Sequence, residues 1–205
     1  MQRTRDAHDI LNDLQGLNRR FLHLARTGLP GPAATGPDVL SRLDHRAMER
    51  LASLPFALFS FGFGAEGTWE RLQARGVRDA EPPAAADPGQ ERFALLALAY
   101  LRQLARTHPR RAAALAGVAE PVGRWLASLD LGALAILAPQ AAELLRWRFP
   151  GQERLWAALM DSCREPDGSQ LPVLRATALQ WTIRRALDLR LAGPRASRAF
   201  RDGPG

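Results

Sequence analysis

The sequence predicts an all-α protein, a compact bundle of short helices that can be read as two repeated helical subdomains. Three observations carry this. Apolar residues recur at steps of three and four along most of the chain, and Pro, Gly and Asp separate these runs at roughly helix-length intervals. No stretch keeps the apolar–polar alternation of a half-buried strand. At 46% apolar over 205 residues, the chain can bury a sizeable core.

Ile10, Leu14, Leu17, Phe21 and Leu24 form one helical seam, so a first helix is expected from about residue 8 to Arg26, with Asp9 as its cap. The stretch TGLPGPAATGP (27–37) is read as a loop. Asp38 or Ser41 is placed at the cap of a helix through Leu51. Next comes ALFSFGF (57–63), an aromatic run without charge, which is expected to be a short buried helix ending at a glycine turn. Trp69 and Leu72 fall on a short helix closing near Gly76. GVAEPVGRWL (117–126) is a weaker echo of this region.

Residues 1–79 are read as an N-terminal helical region and 80–92 as a Pro/Ala-rich linker, followed by a C-terminal helical region (93–192) and a basic tail (193–205). In the second region, Phe93, Leu96, Ala97, Tyr100, Leu101 and Leu104 make an amphipathic stripe. Pro109 stops or restarts the helix, with a short one following from Arg110 to Leu115, and Pro121 can sit in the first turn of another through Leu126. Ser128 or Asp130 caps LGALAILA, Pro139 opens a helix through Arg148, and Leu171 to Leu191 forms the last helix, closed by Gly193 and Pro194.

Net charge is +7, and all 28 basic residues are arginine. The guanidinium fork suits phosphates and carboxylates, so this balance points to nucleic acid or an acidic protein. Six arginines lie between Arg184 and Gly205, and Arg146, Arg148 and Arg154 form a smaller group. Arg146, Arg148, Arg184, Arg185, Arg190, Arg195 and Arg198 are the candidate nucleic-acid contacts. Leu14, Leu17, Phe21, Leu24, Phe59 and Phe61 are the candidate dimer or partner contacts.

The motifs of chemistry are missing. Four scattered histidines lack metal-ligand spacing, and no phosphate loop or nucleophile elbow occurs. Cys163 is expected to be an unpaired thiol, although Arg164 beside it could lower its pKa. Neither catalysis, a metal nor a cofactor is expected. The charged start MQRTRDAHDILND and the lack of a long apolar stretch suggest a cytoplasmic protein without membrane contact.

GLNRRFLHLAR (16–26) followed by ALFSFGF (57–63) resembles the FlhD family, the D subunit of the flagellar master transcriptional activator. Leu17, Asn18, Phe21, Leu22, Leu24 and Ala25 fill that family's L-N-x-x-Tyr-L-x-L-A helix. Ala57, Leu58, Phe59, Gly62 and Phe63 fill its A-M-F-R-L-G-I segment. Residues 119–149 resemble the following stretch through Leu126, Leu129, Leu131, Leu137, Ala138, Arg148 and Phe149, with Leu145 where many members carry a cysteine. Residues 27–56 and about 73–92 would be insertions. Residues 99–106 with GVAEP read as a second, degenerate copy of the first two elements, so the chain is taken as a tandem or expanded version.

The resemblance implies a helical protein that dimerises through its N-terminal helices. It would join a C-type partner subunit on promoter DNA and activate flagellar genes. The competing expectation is a non-enzymatic helical adaptor that docks a partner protein through the aromatic run.

Overall fold

Ten α-helices and one pair of two-residue strands make up the described chain, so the all-α prediction holds. The computed structural model describes residues 2–29, 31–63, 68–77, 87–165 and 170–191, with the side chains of 2–7, 183 and 185–191 excepted.

Helix α1 (Gln2–Ala25) starts earlier than its seam suggested, which places Asp9 inside the helix rather than at its cap. The 27–37 loop holds a 3-10 turn, Ala33–Thr35, and α2 (Pro37–Ser41) begins at a first-turn proline. The cap of the next helix, α3 (His45–Ala52), is Asp44 and not Asp38 or Ser41; its carboxylate accepts from Ala47 N at 2.7 Å.

The aromatic run is not a helix. Phe59–Ser60 forms β1, which pairs antiparallel with β2 (Arg146–Trp147), Phe59 opposite Trp147 and Ser60 opposite Arg146. Such short strands leave no alternation to read, and their paired residues lie 86 and 88 positions apart in sequence.

After β1 come α4 (Thr68–Arg75), α5 (Pro88–Thr107), α6 (Pro109–Ala116) and α7 (Glu120–Ser128). The linker ends inside a helix: Asp87 caps α5, so 88–92 is helical, while 78–86 lies outside the described residues. Asp130 caps α8 (Leu131–Glu143), accepting from Ala133 N at 2.7 Å. Pro139 lies within α8 instead of opening a new helix. It only forgoes a bond to the carbonyl of Ala135, a residue on the exposed face. Helix α9 (Glu153–Arg164) was not anticipated from the sequence, and α10 (Leu171–Leu191) has the expected bounds. The expected stop at Gly193–Pro194 and the tail lie outside the described residues.

The true counterpart of the aromatic run is 146–156, not 117–126. Trp69 Nε1 donates to the Phe61 carbonyl at 2.8 Å, and Trp156 Nε1 donates to the Arg148 carbonyl at 3.0 Å, each eight residues back. The residue after each carbonyl has a positive φ, 67° at Gly62 and 54° at Phe149. Each unit begins with a Leu-Asp pair, Leu43-Asp44 or Leu129-Asp130, whose aspartate caps the helix before the strand. A capped helix, a short strand, a left-handed turn and a tryptophan-anchored helix thus occur twice. The strands pair as two copies would across a local twofold axis. Trp125 of the presumed echo instead packs edge-on against Trp69, ring centroids 6.1 Å apart.

One continuous core joins the N-terminal and C-terminal regions. Phe21 from α1 lies 4.9 Å from Trp147, 5.8 Å from Phe59 and 5.9 Å from Phe93 of α5. Asn18, one turn earlier, is wholly buried. Its Nδ2 donates to the carbonyls of Ala52 (3.1 Å) and Phe56 (3.0 Å), with Leu54 at 3.4 Å, while its Oδ1 accepts from Leu58 N at 3.0 Å. Asn18→Ala leaves these backbone groups buried and unpaired. It should cost about 3 kcal/mol and lower the thermal midpoint by roughly 6–12 °C; differential scanning calorimetry checks this. Phe59→Ala should cost about 3–5 kcal/mol, seen as a shifted urea midpoint.

Candidate functional site

The structure spreads the candidate contacts over different environments. Leu14, Leu17 and Phe21 are buried in the chain's own core, as are Phe59 and Phe61. They are therefore not surfaces for another subunit or partner in this fold. Their apolar seam was legible, but whether it meets another chain or this one depends on α5 and β2, distant in sequence. Leu24 alone is partly open.

Among the candidate nucleic-acid contacts, Arg148 is corrected to a core residue. It is only 5% exposed, its guanidinium donates to the Leu115 carbonyl, and it sits 5.1 Å from the centroid of the Phe149 ring. Arg146 is half-buried and its guanidinium lies over Gly62, where a Cβ would come within 1.9 Å of Nη2. Gly62 is required by its positive φ, and a side chain there would also displace the Arg146 guanidinium. Arg184 is exposed on α10. The side chains of Arg185 and Arg190 are not described, and Arg195 and Arg198 lie outside the described residues.

Much of the arginine content works inside the fold. Arg50 donates to the carbonyls of Cys163 (3.0 Å) and Glu165, tying α3 to the end of α9. Arg26 donates to Leu40 O at 3.1 Å, Arg102 to Leu129 O, and Arg175 to the Ser53 hydroxyl at 3.0 Å. These carbonyls lie at helix ends and in turns, where the last C=O groups lack intrahelical partners.

A basic face that the charge count did not single out lies along α1. Arg19, Arg20, His23 and Arg26 follow one another at helical spacing, and two grooves flank them, sharing Arg19 and His23. The first runs toward α3 and is lined also by His45, Met48 and Glu49. There Arg19 grips Glu49 with three bonds of 2.7–2.9 Å, and this hydrogen bonding holds the Glu49 carboxyl below its usual range. The second groove runs toward α5 and is lined by Arg20, Leu24, Arg92, Phe93 and Leu96. The sequence signal was present in RRFLHLAR (19–26), whose basic residues at i, i+1, i+4 and i+7 share one helix face.

Among the described residues, no three His, Cys, Asp or Glu side chains gather as metal ligands, and no helix is long and apolar enough to cross a membrane. Cys163 is buried within α9. Burial pushes its thiol up to about 11, with Arg175 and Arg50 only partly offsetting the effect. Arg164 instead pairs with Asp161 at 3.0 Å. Comparison with known protein families, with characterised proteins and with solved structures gave no match.

Cys163 should resist a thiol reagent such as Ellman's in the native protein and react fully once unfolded. Its folded pKa of about 11 exceeds the ordinary 9.0, so above pH 9 the unfolded chain loses this proton first. The thiol's contribution to stability is intact below pH 9 and disappears as pH rises toward 11. Urea midpoints measured across that window should fall less steeply in Cys163→Ala than in the parent.

Proposed function

We propose that this chain is a non-enzymatic, cytoplasmic transcriptional regulator of the flagellar D-subunit type, which acts on promoter DNA with a C-type partner subunit. The observation that carries this reading is where the resembling residues lie. Leu17, Asn18, Phe21, Leu22 and Ala25, then Ala57, Leu58, Phe59 and Phe63, then Leu126, Leu137, Ala138, Arg148 and Phe149 are all buried. The resemblance therefore falls on fold-determining positions rather than on surface leucines. Leu24 and Leu129 are half-buried, and Leu131 is 66% exposed.

The doubled unit supports a specific version of this idea. The seam expected to dimerise is occupied by α5 of the same chain, so one chain would do the work of a pair of D-type subunits. DNA contact would come from exposed arginines, Arg184 among the described residues, with Arg185, Arg190, Arg195 and Arg198 as further candidates. Arg148 drops out of this set, because its guanidinium is committed within the fold, while Arg146 is half-buried beside Gly62.

An adaptor role would need a surface other than the aromatic run. One observation keeps it open: Val173 (67% exposed) and Trp181 (46% exposed) lie on the solvent side of α10. Partner docking there should quench or shift Trp181 fluorescence without any DNA.

Gel retardation of flagellar promoter DNA, with and without the partner subunit, tests the regulator reading. Binding should weaken with salt, and each phosphate-contacting arginine replaced by Gln should reduce the slope of log K against log salt by about 0.9. No retardation at low salt under either condition would overturn the proposal.

A further inference from the structure

The groove between α1 and the start of α5 has a composition that phosphate contact alone does not explain. Its rim is basic, with Arg20, His23 and Arg92, and its floor is apolar, with Leu24, Phe93 and Leu96. Among the described residues, Arg20 and Arg92 have neither a hydrogen bond nor an ion pair to a protein group, whereas Arg19 beside them is held by Glu49. Two guanidinium groups are thus left for an anion. The floor is accessible as well: Leu96 is 42% exposed, one of the few large apolar side chains open to solvent. Gly89 borders the groove, and a Cβ there would lie 3.0 Å from Oδ1 of Asp87, the α5 cap, and 3.3 Å from Leu24 Cδ2. The groove measures about 310 Å³, which is the size of a small-ligand pocket.

We propose that this groove binds a small amphipathic anion, a carboxylate carrying a short aliphatic or aromatic body. Arg20 and Arg92 would hold the carboxylate in charge-assisted hydrogen bonds, and the body would cover Leu24, Phe93 and Leu96. A phosphodiester backbone would use the rim and leave the floor uncovered. The ligand chemistry therefore differs from that of nucleic acid, and the site stands independently of the DNA-binding proposal.

Isothermal titration of the full chain with octanoate, octanamide, acetate and inorganic phosphate tests it. Octanoate should bind saturably at one site per chain, about tenfold tighter than octanamide, which lacks the charge, and tighter than acetate, which lacks the body. Arg20→Gln and Arg92→Gln should each weaken octanoate by about tenfold and leave octanamide unchanged, whereas Leu96→Ser should weaken both. All three positions are exposed, so unchanged helical circular dichroism is expected and separates lost binding from lost fold. The proposal fails if octanoate does not saturate, if phosphate or acetate binds as tightly, or if the three substitutions have no effect.

Discussion

The carboxamide of Asn18 connects the first helix to the rest of the molecule. From the end of α3 to Leu58 the chain is irregular and largely buried, so several of its backbone groups find no partners in a helix. Asn18 supplies two N–H donors and one carbonyl acceptor in the dry core, and they meet Ala52, Phe56 and Leu58. That fixes where β1 begins, and hence which residues face β2. Leu58 carries the constraint across the chain: its N–H is held by Asn18, and its carbonyl accepts from Arg148 N at 2.8 Å. An apolar residue at position 18 could fill the same volume but would strand those groups, and no water can replace them in a closed core.

From this point the two halves of the chain become one packed unit. Phe21 reaches both strands and Phe93, while Ala57 N donates to Leu115 O at 2.7 Å, joining the aromatic run to the end of α6. Arg148 occupies the same seam from the other side, its charge facing the carbonyl that ends α6. Buried arginines survive only when their donors are met, and here backbone carbonyls meet them. The apolar seam of α1 is covered within the chain, by Phe93 of α5 and by Phe59 and Trp147 of the two strands.

What the sequence revealed follows from the range of the interactions involved. The helical seam of α1, a cap at one of Ser128 and Asp130, the first-turn proline at 121 and the bounds of α10 depend on neighbours within a few residues, and local rules reach them. The two strands depend on partners 86 and 88 residues away, and Pro139 within α8 depends on one carbonyl facing solvent, so local rules mistook both. The site was harder to read than the fold. Charge counts identify arginines but not their targets, and Arg148 and Arg50 turned inward to carbonyls while Arg20 and Arg92 stayed open. The basic edge of α1 was visible in its spacing; the apolar floor beside it was not, because α5 supplies Phe93 and Leu96.

The central claim is that the two units fold as one body around the strand pair that Asn18 positions. Native-state hydrogen exchange in the parent and in Asn18→Ala tests it most directly, by following the amides of Leu58 in the first unit and Arg148 in the second. If the units are one body, protection at both amides falls by the same free energy in the variant. A loss confined to residues 52–58, with Arg148 protected as before, would contradict it.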